Sequence, residues 1–126
     1  MSAVDHMLAR ARSHLARLTA EDTAHALSEG ALLVDVRTGE QQAADGSVPG
    51  ALAIGLNVLE WRLDPEAATV VPQLEGADQR VILMCNEGFS SSLAAARLQE
   101  LGLVNATDVI GGFRAWRDAG LPVLPP

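Results

Sequence analysis

Apolar positions along the chain follow two rhythms. Near the N-terminus Val4, Leu8, Ala11, Leu15 and Leu18 recur at i, i+4, i+7, i+11 and i+14, one stripe of an amphipathic helix. Arg10, Arg12 and Arg17 mostly leave that stripe and read as a solvated face. Farther along, apolar residues come in short unbroken runs: "ALLVDV" (31–36), "ALAI" (51–54), "VILM" (81–84) and "ATDVI" (106–110). Runs of this kind suit strands buried on both faces of a parallel sheet. Helical patterns fall between them. Thr19 is placed to cap a helix, with Asp22 three residues on and Gly30 ending it. Further helical segments are expected at 57–63, 91–101 and 113–119, and 65–78 reads as loop.

Strands alternating with helices predict an α/β fold with a mainly parallel sheet, and right-handed crossovers put helices on both faces. The 126 residues, 48% of them hydrophobic, suffice for one core. Residues 1–18 are expected to form a helix packed on a domain spanning 19–126. Trp61 and Trp116 read as core, and Gly111 and Gly112 as a tight strand-to-helix turn. Asp35 and Arg37, ending the first strand, read as a buried ion pair or turn anchor rather than as catalytic groups.

The formal charge of −7 disfavours nucleic acid and anionic membranes as partners. No stretch of about 18 apolar residues is present, and the arginine-bearing N-terminus lacks a continuous apolar core, so neither a membrane span nor a secretory signal is read. One cysteine excludes an intrachain disulfide. A reducing, cytoplasmic setting is the expectation. His6, His14 and His25 show no ligand spacing with Cys85 or a carboxylate, so no metal site is expected.

Cys85 directly follows the "VILM" run, and sites in open parallel sheets form at the carboxyl ends of strands. A lone cysteine there is either a small core hydrophobe or a nucleophile. The following "NEGFSSS" favours a tight loop: Gly88 allows unusual backbone angles, and Ser90, Ser91 or Ser92 can cap the next helix. Unpaired amides around the sulfur, with the positive end of the helix, would stabilise a thiolate or a bound anion without a histidine base.

Three stretches together resemble the single-domain rhodanese-like sulfurtransferases. "LLVDVRTGEQ" with "GSVPGA" is similar to that family's Asp-x-Arg and Pro-Gly-Ala region, with Ser47 where a histidine is usual and Glu40 closer than usual. The Cys85 loop is the second stretch, and "VIGGFRAWRDAGLPV" the third. The resemblance implies a sheet of about five strands flanked by helices. It implies transfer of a sulfane sulfur from thiosulfate or a persulfide, through a Cys85 persulfide, to cyanide or a thiol, with no cofactor. Asn86, Glu87, Gly88, Phe89, Ser90 and Ser91 would then line the substrate site, with Asp35 and Arg37 structural beside it.

The loop departs from members active on thiosulfate, which often carry a basic residue five positions after the cysteine; here it is Ser90, and Glu87 adds a negative charge. Either Arg62 reaches the pocket from the opposite wall, or the donor is a less charged persulfide or a protein partner. A catalytically weak binding or persulfide-carrier module is the alternative. A cysteine phosphatase would need an arginine six after the cysteine, where Ser91 stands.

Overall fold

The computed structural model describes all 126 residues. In chain order the elements are α1 (Ala3–Arg12), α2 (Ala20–Ser28), β1 (Leu32–Asp35), α3 (Gly39–Asp45), β2 (Leu52–Ala53), α4 (Leu59–Leu63), β3 (Val81–Met84), α5 (Ser90–Glu100), β4 (Thr107–Asp108) and α6 (Gly112–Asp118). The strands form one parallel sheet in the order β2-β1-β3-β4. Every residue of β1 and β3 is buried, as their unbroken apolar runs require.

Side chains alternate across the pleat and so divide the core in two. Leu32, Val34, Val81 and Leu83 pack with Leu59, Leu63, Ala94, Ala95 and Leu98 from α4 and α5. Leu33, Ile82, Met84 and Val109 pack with Ala20, Ala26, Phe113 and Trp116 from α2 and α6. Full burial of Phe113 alone contributes about 1.5–3 kcal/mol.

The fold corrects several expectations. Four strands form, not about five. The fifth position holds a single bridge, in which the Leu18 N–H donates to Asp108 O at 3.1 Å and the Ile110 N–H donates to Leu18 O at 2.8 Å. That extended contact cannot coexist with a helix through Leu18; α1 stops at Arg12, and none of its residues is buried. Val4 therefore lies exposed rather than in a core stripe. The first segment's arginines are not all a solvated face either, because Arg12 and Arg17 turn inward.

Trp61 is 63% exposed, because Leu59 and Leu63 at i and i+4 take the core side of the short α4. Trp116 is buried, and its Nε1–H donates to Pro122 O at 2.8 Å. Helix α3 was not expected. Its seven residues bury no side chain, and its visible signal is the Thr38–Gln41 capping box. No helix is long and apolar enough to cross a membrane.

Candidate active site

Cys85 stands one residue beyond β3, between the sheet and the start of α5. Where the loop's carbonyl groups go decides what surrounds its sulfur. The Phe113 N–H donates to Cys85 O at 2.8 Å and the Arg114 N–H to Asn86 O at 3.1 Å, so the first turn of α6 holds both carbonyls. Gly88 O accepts from Arg12 Nη2 at 2.7 Å and Arg17 Nη2 at 3.0 Å. All peptide bonds are trans, which points each N–H opposite the preceding carbonyl. Fixing the carbonyls of residues 85, 86 and 88 therefore turns the amides of Asn86, Glu87 and Phe89 to the other side. None of these three amides, nor those of Ser90 and Ser91, donates to a backbone carbonyl. Amides left free in this way can stabilise negative charge.

Two glycines permit the turn. Gly88 has φ +87°, and a Cβ there would lie 2.8 Å from Gly111 N. Gly112 has φ +60°, and its Cβ would collide with Cys85 O and stand 2.8 Å from the Asn86 carbonyl carbon. The paired glycines are thus the backbone surface on which the cysteine loop rests.

Cys85 is buried, and the Gly88 N–H donates to its Sγ at 3.1 Å. Burial pushes the thiol pKa up. Hydrogen bonds from the Ser91 hydroxyl and amide, the Ser90 hydroxyl and the Gly88 amide outweigh it, and the net direction is down.

Ser91 does this with a single proton. In the thiol state Cys85 S–H donates to Ser91 Oγ at 3.3 Å, while Ser91 donates to Asp108 Oδ2 at 2.7 Å. In the thiolate state the same proton turns to sulfur, and Asp108 keeps Ser92 at 2.7 Å and Arg17 at 2.8 Å. Ser91→Ala should slow alkylation of Cys85 at pH 7 by about three- to tenfold, read by mass spectrometry over time.

Glu87 pairs with Arg114 Nη1 of α6 at 3.4 Å, both side chains half-exposed. Phe89 is 56% exposed, with the Arg12 guanidinium 5.8 Å from its ring centroid. Asn86 Oδ1 is buried with no hydrogen-bond partner. Arg62, exposed on the last turn of α4, forms no ion pair and no side-chain hydrogen bond, and nothing ties it to the Cys85 loop.

Asp35 and Arg37 form a buried pair at 2.8 Å beside the site, with Arg37 also bonded to Gly46 O and its guanidinium 3.8 Å from the Phe113 ring centroid. That pair joins β1, the turn before β2 and α6. No group of three or more His, Cys, Asp or Glu side chains is placed to hold a metal ion.

Four residues next to the loop were not expected there: Arg12 and Arg17, read as a solvated face, Ser92, read with Ser90 and Ser91 as a cap although α5 has no side-chain cap and begins after Phe89, and Asp108. Ser92 and Asp108 are buried, and Asp108 accepts from Arg17, Ser91 and Ser92. The one sequence signal was an acidic residue inside the apolar run "ATDVI".

Residues 19–119 match the rhodanese-like domain family. A sulfurtransferase of Allochromatium vinosum is 31% identical over 99 residues, covering 79% of this chain and 83% of the relative. A thiosulfate sulfurtransferase GlpE of Pseudomonas entomophila is 30% identical over 105 residues, covering 83% and 87%. Among solved structures, a protein of unknown function from Rhodopseudomonas palustris, described as "Possible Tyrosine Phosphatase", superposes with a TM-score of 0.87 at 31% identity, covering 98% of this chain and 95% of its own.

Proposed function

The chain belongs to the rhodanese-like domain family, and from that premise we propose that it transfers a sulfane sulfur through a persulfide on Cys85. The observation supporting this reading is a buried sulfur that accepts from the Gly88 amide at 3.1 Å, in a loop whose amides at Asn86, Glu87, Phe89, Ser90 and Ser91 are engaged by no backbone carbonyl, with the thiol pKa lowered. In the first half-reaction the Cys85 thiolate attacks the donor's sulfane sulfur. The donor's S–S bond breaks, the remaining thiolate of a persulfide or the sulfite of thiosulfate leaves with the bonding pair, and Cys85 becomes a persulfide anion. The free amides then face the terminal sulfur, where the charge now sits. In the second half-reaction an acceptor thiolate attacks that terminal sulfur and restores the Cys85 thiolate. Atoms and electrons balance without an external oxidant, and no cofactor is required.

Charge selects the donor. No basic side chain lies within the loop from Asn86 to Ser92, and Gly88 O directs Arg12 and Arg17 to its outer side. A thiosulfate dianion would meet amides alone, so a singly charged persulfide, free or carried by a protein, is the better substrate. The relatives named sulfurtransferase support the reaction class. A phosphatase reading finds no support in the loop, because the first arginine after Cys85 is Arg97, paired at 3.0 Å with Glu60.

Incubation with glutathione persulfide or thiosulfate, followed by intact-mass measurement, tests the proposal. A gain of one sulfur that a thiol acceptor removes is the expected result, faster with the persulfide. Loading without release would mark a carrier instead, and no gain from either donor would refute transfer.

A further inference from the structure

We propose that the N-terminal arm, outside the residues matched by the family, is a working part of the active site: Arg12 and Arg17 position the Cys85 loop through Gly88 O and Asp108. The proposal rests on Cys85 being the nucleophile, but not on which donor loads it.

The loop's outward carbonyls have two sets of holders. Those of residues 85 and 86 are fixed by α6, inside the family's own span. The Gly88 carbonyl has no backbone partner and is fixed only by side chains, chiefly the two arginines. Its orientation sets the Phe89 amide across the same trans peptide. A carbonyl that accepts two charged donors is polarised, and polarisation strengthens the N–H on the other side of the peptide. The arm thus completes the amide ring and sharpens one of its members.

Asp108 supplies the second link. Its carboxylate is fully buried and separated from the Cys85 sulfur by one hydroxyl, that of Ser91. Left unpaired it would oppose the thiolate. Arg17 engages both of its oxygens, at 2.8 and 3.2 Å, and cancels that charge. Arg12 Nε donates to Ser92 Oγ at 3.0 Å, and Ser92 donates to Asp108 at 2.7 Å, so both arginines converge on one carboxylate. The charged groups near the loop are then Arg12 of α1, Arg17 of the following segment, Asp108 of β4, Glu87 of the loop tied to Arg114 of α6, and the buried Asp35–Arg37 pair at the end of β1.

Burial and the neighbouring Arg17 both work against the Arg12 charge and lower its pKa, while Asp108 and Cys85 act the other way. Two guanidiniums on one oxygen repel each other. An apolar contact would dock the arm at lower cost.

Cys85 is the only cysteine, so iodoacetamide reports on it alone. The test compares pH profiles of alkylation for the full-length protein and its Arg12→Ala, Arg12→Lys and Arg17→Ala variants, with circular dichroism and thermal melts confirming the fold. Both alanine variants should shift the profile to higher pH and slow labelling at pH 7 by about three- to tenfold. Arg12→Lys should recover only part, since lysine keeps the charge but loses the fork.

Folded alanine variants whose profiles superimpose on the wild type, even with lowered melting temperatures, would overturn the proposal. If Arg17→Ala fails to fold, Arg12→Ala decides alone, because Arg12 does not bond the buried carboxylate directly. A wild type that takes sulfur from no donor, with variants that still shift the profile, would refute transfer and leave the arm's role standing.

Discussion

Replacing Cys85 with serine should abolish the one-sulfur mass gain and cut persulfide turnover by more than about 10³-fold, measured as thiol-acceptor product per minute. Serine fits the space and keeps the capacity to hydrogen-bond with Gly88 N and Ser91 Oγ, so the fold should survive. The hydroxyl fails for two reasons. It stays protonated at any working pH, and an oxygen cannot carry the sulfane sulfur as a stable disulfide-like bond. Because the loop's amides and serines remain, a residual rate well above zero would mean that another group accepts the sulfur. No second cysteine exists to do so.

The other large effect is expected at a residue that never meets substrate. Gly112→Ala places a methyl group against Cys85 O and the Asn86 carbonyl, at a backbone φ of +60° that side chains rarely adopt. Both obstructions are backbone, so neither a rotamer change nor a flexible side-chain end can relieve them. Either α6 retreats or the loop moves. The Phe113 and Arg114 amides that hold the loop's first two carbonyls then lose register. A stability loss of about 2–4 kcal/mol is expected by urea denaturation. Cys85 alkylation should also slow, because the Asn86 and Glu87 amides would no longer be turned inward. Ala substitution at Gly39, where φ is unexceptional and no atom lies within 4 Å of the added Cβ, should leave both measurements nearly unchanged.

Much of this was legible in the sequence because it depends on contiguous residues. The runs in β1 and β3 declared strands buried on both sides, and the position of Cys85 after the second run placed it at the carboxyl end of the sheet. The Gly111–Gly112 turn was visible as well, though not the collision that makes glycine necessary at 112.

What the sequence concealed depends on residues brought together from afar. Arg12 and Arg17 lie 76 and 71 positions before Gly88, and only the packing of α1 on α5 and the bridge from Leu18 to Val109 deliver them to the loop. Read on a helical wheel, those arginines belonged to solvent. Arg12 instead ends α1 against the Cys85 loop, and the extended segment beyond it carries Arg17 there. Asp108 was hidden differently, inside a run that looked apolar, since its partners are Arg17 and two serines 16 and 17 positions away. Trp61 is the opposite case. The i, i+4 pair Leu59 and Leu63 already assigned the inner face of α4, and that spacing was there to be read.

Charge near the loop also resolves once side chains have directions. Glu87 looked like an obstacle to anion binding, yet its carboxylate is paired with Arg114. Ser90 leaves the loop without a cation, and Arg12 and Arg17 provide theirs from behind the backbone. Their positive charge acts through a carbonyl and a carboxylate instead of touching the donor. On the proposed reading, a thiolate is favoured in this way without a strong preference for a dianionic substrate.

The thiol of Cys85 in the wild-type protein offers the most direct measurement. Iodoacetamide alkylation followed across pH should titrate with a midpoint clearly below the ~8.5 of an unperturbed cysteine, since hydrogen bonds to sulfur outweigh its burial. A midpoint at or above ~8.5 would instead describe an inert buried thiol and contradict a ring of amides that welcomes charge.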